Sequence, residues 1–326
     1  MMTRTQAKLS TFTSHNSSQL TNRIMSPMRS RSVTIVIPCM DEEGNLERLF
    51  EYIDLAFKQL GYTLPVLVIN DGSTDNTLNI LNKLCQRYDF LSVISHPQNR
   101  GVAEVWNTAL NHVKTDWILW GQADLESDPR VDIPALIDAW KPGVDAIAGW
   151  RQGRGDGKSG ASSIANRACC WAFGLKIHDM NWTKLVRRDI VSRLPVTLIT
   201  HRFLLAVLAG QGYNVIETPT PWFPRFSGVS KFGRKRLLTS ARDFLRVLGW
   251  FYVAQPMNAV FYYMSAFIEA AQVGFSAASH NFQVNTSPDY IAAYKEKSFR
   301  DSPLRTSSSV ANIAYYRRLA LAKVAA

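Results

Sequence analysis

The sequence predicts an α/β fold, a mainly parallel sheet with helices on both faces, followed by a C-terminal helical appendage. Three observations predict it. Short apolar, β-branched runs alternate with stretches whose apolar residues recur at helical spacing. Several of the short runs end abruptly in acidic residues, as buried strands do when they reach the rim of a parallel sheet. The chain has 326 residues, 46% hydrophobic and 19% charged, which supports a sizeable core and argues against general disorder.

Taken in order, Val33–Ile37 is a strand ending at Pro38, followed by Asp41, Glu42 and Glu43. Leu46, Leu49, Phe50, Ile53, Phe57 and Leu60 then mark an amphipathic helix that Gly61 stops. Val66–Ile69 is a second strand, ending at Asn70-Asp71-Gly72-Ser73-Thr74-Asp75, where Ser73 or Thr74 can cap the next helix. That helix turns Leu78, Leu81, Leu84 and Cys85 inward. Leu91–Ser95 is a third strand, Val102–Val113 a third helix and Trp117–Trp120 a fourth strand. Right-handed crossovers place the acidic ends of the first, second and fourth strands on one edge. Helix is expected over 133–140, strand over 145–150, helix over 163–175, helix over 199–210 and a last strand over 213–217. Residues 151–158 read as a glycine-rich basic loop.

The formal net charge is +11, and five of the basic residues lie in residues 1–32, which hold no Asp or Glu. Residues 1–32 read as a disordered basic tail, with organelle targeting as the second reading. The α/β domain is expected at 33–248. Residues 249–326 read as a helical segment that lies on a membrane surface or joins a second copy of the chain. No stretch of 20 residues is apolar enough to span a bilayer, so a cytoplasmic protein at the membrane surface is expected. The four cysteines show no metal-ligand spacing and read as reduced thiols.

Chemistry concentrates at Gln122-Ala123-Asp124-Leu125-Glu126-Ser127-Asp128-Pro129, directly after the fourth strand. Asp124 and Glu126 are two apart, so on an extended segment they point the same way. Oxygen ligands on one side suit a hard divalent ion that also holds substrate phosphates. The same residues also read as loop carboxylates facing water.

The ordered set of motifs resembles the inverting family-2 glycosyltransferases of the GT-A fold, and within them dolichyl-phosphate mannose synthase and its polyprenyl-phosphate relatives. The resemblance covers roughly residues 33–248. Val36-Ile37-Pro38-Cys39-Met40-Asp41-Glu42-Glu43 is similar to the family's opening motif and implies that Pro38 and Glu42 sit against the nucleotide base. Asn70 to Asp75 resembles a second motif and implies that Asp71 holds the base or ribose. Residues 122–129 resemble the metal-binding motif, with Gln122 where the family has its first Asp. The resemblance implies Mg²⁺ or Mn²⁺ on Asp124 and Glu126, with Gln122 as a further oxygen ligand. Arg151, Asp179 and the Lys184 to Arg188 segment resemble the next motif, with Trp182 and Thr183 in place of its usual Gly-Phe. Arg225 to Gly233 resembles the last one and implies that Arg225, Ser230 and Lys231 hold an acceptor phosphate together with Arg151. His201-Arg202-Phe203 is similar to a family helix start.

These resemblances imply transfer of a sugar from a nucleotide-diphosphate sugar, with inversion, to a polyprenyl phosphate. Asp124, Asp179 and Arg151 are the expected catalytic residues. Asp179 would be the base if the acceptor were a hydroxyl. Two rivals stay open: a soluble glycosyltransferase with a small-molecule, glycan or modified nucleic-acid acceptor, and a degenerate relative that only binds nucleotide sugar. Direct nucleic-acid binding ranks low, because the basic residues form no recognised nucleic-acid module.

Overall fold

The computed structural model describes residues 33–153, 159–196, 202–227 and 236–257, with 260, 264 and 265. The basic tail, His201, Ser230, Lys231 and most of the C-terminal segment lie outside the described residues.

Seven strands form one sheet: β1 (Val33–Cys39), β2 (Val66–Asp71), β3 (Leu91–His96), β4 (Trp117–Trp120), β5 (Ala146–Gln152), β6 (Lys184–Arg187) and β7 (Val215–Pro221). Their order is β3-β2-β1-β4-β6-β5-β7. The pairs β2–β3, β1–β2, β1–β4 and β5–β7 are parallel, and β6 runs antiparallel to both of its neighbours. The helices are α1 (Leu46–Leu60), α2 (Thr77–Arg87), α3 (Val102–His112), α4 (Pro129–Asp138), α5 (Ser159–Phe173), α6 (Arg188–Val191), α7 (Leu204–Gly210) and α8 (Arg236–Gly249).

Side-chain alternation explains why the sheet is covered twice. On β4, Trp117 and Leu119 enter one core with Ile35, Ile37, Phe50 and Leu136. Ile118 and Trp120 enter the other, with Val36, Trp106 and Phe173. There Trp120 stacks on Trp106 of α3, with ring centres 3.9 Å apart and planes 8° apart. A strand buried on both faces is continuously apolar, which is how Trp-Ile-Leu-Trp reads.

Gly61 ends α1 in the left-handed conformation at φ 77°, as its position after the periodic run predicts. Neither Ser73 nor Thr74 caps α2. Ser73 bonds to Asn70, Thr74 bonds to Asp41, and the Thr77 amide donates to Asp75 Oδ1 at 3.0 Å. Leu78 and Cys85 are only half-buried on α2, and Leu81 and Leu84 carry its inward face. α4 starts at Pro129, four residues before the apolar periodicity begins, because Asp128 caps it by accepting from the Arg130 amide.

α8 continues into a π-helical turn at Trp250–Ala254, and Phe251 of that turn is buried against Phe173, ring centres 5.1 Å apart. The expected break after residue 248 therefore falls inside one continuous helical segment that packs on the α/β core. No helix among the described residues is long and apolar enough to cross a membrane.

Candidate active site

Because β1, β2 and β4 are parallel neighbours, their carboxyl ends share one rim; Asp71 ends β2 there, and the loops after β1 and β4 carry Glu42 and Asp124. This rim is where open α/β sheets hold ligands.

The loop after β4 is not extended. β4 stops at Trp120, and Leu125 adopts φ 54°, the left-handed region that a branched residue occupies only under strain. The Leu125 side chain is buried, which holds it there. Asp124 Oδ1 accepts from the Glu126 amide at 3.2 Å, closing a tight turn. The two carboxylates are brought together by this turn, not by strand alternation. They meet on Arg225, whose Nη2 lies 2.7 Å from Asp124 Oδ2 and whose Nε lies 3.3 Å from Glu126 Oε1. Its Nη1 lies 4.0 Å from Glu42 Oε1. Burial raises the Asp124 pKa, Glu126 raises it further, and the Arg225 guanidinium opposes both.

A divalent ion suits this oxygen set. Gln122 Oε1 is buried without a hydrogen-bond partner, beside the loop that bears Asp124 and Glu126. Two carboxylates and an amide oxygen are hard donors, and a Mg²⁺-type ion completes its shell with water and substrate phosphate. Among the described residues, no group of three or more His, Cys, Asp and Glu side chains converges to hold a metal by itself.

Asp71 is already heavily engaged by protein. Its Oδ1 accepts from the Arg100 amide at 2.9 Å and lies 2.7 Å from His96 Nδ1, and its Oδ2 accepts from the Gly101 amide at 2.8 Å. His96 is buried and its Nε2 is 2.8 Å from Thr108 Oγ1. Asp71 thus fixes the loop between β3 and α3. β3 runs one residue past the expected Ser95, to His96, a residue the sequence marks only as a histidine at the end of an apolar strand. Pro38 sits on β1 opposite Ile69, half-buried beside the same rim.

On the other flank, Arg151 at the end of β5 forks onto Asp179, with Nε–Oδ2 at 2.5 Å and Nη2–Oδ1 at 3.0 Å. The guanidinium also lies 4.6 Å from the centre of the Trp182 ring, so Trp182 packs the pair from one side. Lys184 is buried close by, and desolvation lowers its pKa to about 8 against the pull of Asp179. Behind the acidic loop, Asp132 of α4 is buried with neither carboxylate oxygen hydrogen-bonded, and its pKa is pushed up to about 8.

Fold and rim together define an α/β protein that sets acidic loops and guanidinium groups along one edge of its sheet, the edge at which open α/β sheets hold ligands. Residues 34–192, just under half of the chain, match the family described as Glycosyl transferase family 2. Among curated relatives, the chain is 28% identical to a dodecaprenyl-phosphate galacturonate synthase of Rhizobium johnstonii, over 71% of this chain and 70% of the relative. It is also 28% identical to a dolichol-phosphate mannosyltransferase of Pyrococcus furiosus, over 67% of this chain and 64% of that one. Its fold matches glucosyl-3-phosphoglycerate synthase of Mycobacterium tuberculosis, crystallised with Mn²⁺ and UDP-glucose, at a TM-score of 0.50 and 16% identity, over 69% of this chain and 81% of that one.

Proposed function

We propose that this chain transfers a sugar from a nucleotide-diphosphate sugar to a polyprenyl phosphate, with inversion, at a membrane surface. The observation that carries this reading is the meeting of Glu42, Asp124 and Glu126 on Arg225 at the sheet rim. The relatives support the acceptor class, since those named above are polyprenyl-phosphate and dolichol-phosphate sugar transferases.

In this reading Pro38, Glu42 and Asp71 border the nucleotide. Asp124, Glu126 and Gln122 hold Mg²⁺ or Mn²⁺. The ion, when bound, offsets the charge of the leaving diphosphate. Arg151 and Arg225, together with Ser230 and Lys231 outside the described residues, orient the acceptor phosphate. A phosphate oxygen is already an anionic nucleophile, so positioning matters more than proton removal.

The Arg151–Asp179 fork favours this acceptor over a hydroxyl. Both carboxylate oxygens of Asp179 are taken up by the Arg151 guanidinium, and both side chains are about nine-tenths buried. Asp179 then orients Arg151 instead of serving as a base. Contact with a membrane is supported by apolar side chains standing in solvent, with Trp171 82%, Leu245 68% and Val253 61% exposed. The same residues could instead meet a second copy of the chain.

The test is a panel of nucleotide sugars with Mn²⁺, a short polyprenyl phosphate and detergent, read as nucleoside diphosphate release. Release that requires both the lipid phosphate and the metal supports the reading. Release that requires a hydroxyl acceptor and ignores the lipid phosphate favours the soluble alternative.

A further inference from the structure

The segment after β7 is pinned at both ends. On the β4 side, the Phe223 amide donates to the Glu126 carbonyl at 3.0 Å, and Arg225 bonds Asp124 and Glu126. On the α1 side, three successive residues each meet a residue in the first turn of that helix or in the loop leading into it. Arg225 approaches Glu42. Phe226 lies under Arg48, whose guanidinium carbon is 3.8 Å from the ring centre. Ser227 packs onto Gly44, where an added Cβ would come within 2.5 Å of the Ser227 hydroxyl, and its carbonyl accepts from Asn45 Nδ2 at 3.4 Å. Asn45 in turn donates to Glu42 Oε2 at 2.5 Å. Phe226 is 52% exposed and Arg48 is exposed, so neither is explained by the core.

The charges add a constraint. Asp124 and Glu126 carry two of the oxygen donors proposed for a divalent ion, and Arg225 is the cation on them in this structure. A guanidinium and a hard dication cannot both neutralise the same pair at contact distance. Whatever seats residues 225–227 therefore also sets how readily the carboxylates accept an ion.

We propose that Gly44, Asn45 and Arg48 form a seat for residues 225–227, and that Arg48, through Phe226, is a positioning residue that holds Arg225 on Asp124 and Glu126 in competition with a divalent cation. Seated, Arg225 covers the carboxylates. Unseated, Arg225 is released and the carboxylates are open to the ion. The inference rests on the metal reading above for its second half only; the seat itself stands on contacts present without any ion.

The experiment is Mn²⁺ binding to the full chain without nucleotide, followed by the loss of the free-ion electron paramagnetic resonance signal, together with amide exchange over residues 223–227. An exposed cation–π contact is worth a factor of about two to five in an equilibrium. Arg48→Ala and Phe226→Ala are each expected to tighten Mn²⁺ binding by about that factor and to speed exchange of the segment, while Arg48→Lys stays near wild type. Phe226→Ala removes no charge. Tighter binding in Arg48→Ala but not in Phe226→Ala would mean a bare charge effect and would overturn the seat. Unchanged affinity and unchanged exchange in both would overturn it as well. If no protein binds Mn²⁺, wild type included, the metal reading and the competition fall together; the seat is then upheld by faster exchange in both alanine variants and overturned by its absence.

Discussion

Arg225 Nη2 rests 2.7 Å from Asp124 Oδ2, joining residues 101 positions apart in the chain at the rim of the sheet. The contact gathers the segment after β7 onto the loop after β4. It also gives Asp124, a carboxylate that burial would otherwise drive toward its neutral form, a cation to face. The acidic loop and the basic segment are therefore one electrostatic unit.

The Arg151–Asp179 fork is a second such unit, and breaking it from one side should be costly. Asp179→Asn leaves a mostly buried guanidinium without its counter-charge, a loss of about 3–5 kcal/mol. The expected result is a lower unfolding midpoint in chemical denaturation and loss of transfer. The double variant Asp179→Asn with Arg151→Met should recover much of the stability and none of the activity. A double variant no more stable than Asp179→Asn would show that the two residues do not act as a pair.

Asp132 sets a pH dependence whose sign can be worked out. Its pKa rises from 3.8 to about 8 on folding, because burial and the nearby Asp128 both disfavour the charge. The folded state thus holds a proton that the unfolded chain has released. Stability from this group is fully present below about pH 4 and is lost as pH rises toward about 8. Asp132→Asn should flatten the fall in thermal midpoint between pH 6 and pH 8. The fall in the wild type should be visible by calorimetry, and an equally steep fall in the variant would contradict the assignment.

Leu125 tests whether strain or packing dominates the acidic turn. Its left-handed backbone costs about 1–3 kcal/mol, which glycine would relieve. Its side chain is buried, and truncating a buried leucine costs about 2–5 kcal/mol. Leu125→Gly should therefore destabilise the protein by about 1–3 kcal/mol, read by denaturant unfolding. A more stable variant would mean that the turn is held by its hydrogen bonds and not by the leucine.

The strand–helix alternation was legible because each element carries its own period. Trp117–Trp120 appears in the sequence as it does in the sheet, and Gly61 marks the end of α1 by its conformational freedom. The reversal of β6 was not legible. Lys184–Arg187 has the composition of any short strand, and only its pairing with β4 and β5 gives its direction. At the rim, the sequence placed Asp124 and Glu126 together, but for the wrong local reason. It assumed an extended segment, and a positive φ at a leucine is dictated by packing that no periodicity reports. The engagement of Asp71 by His96 and the two amides depends on a loop 25 to 30 residues away. The seat at Gly44, Asn45 and Arg48 depends on contacts nearly the whole domain apart in sequence.

Metal-dependent sugar transfer to a lipid phosphate, as proposed above, depends on the acidic loop. The most direct measurement is product formation on a short polyprenyl phosphate, with saturating donor and Mn²⁺, by wild type and by Asp124→Ala. The wild type should turn over until the metal is chelated, and the variant should lose about 10²-fold or more, as expected when a preorganised charge at the reacting centre is removed. Undiminished turnover by Asp124→Ala under those conditions would contradict that dependence.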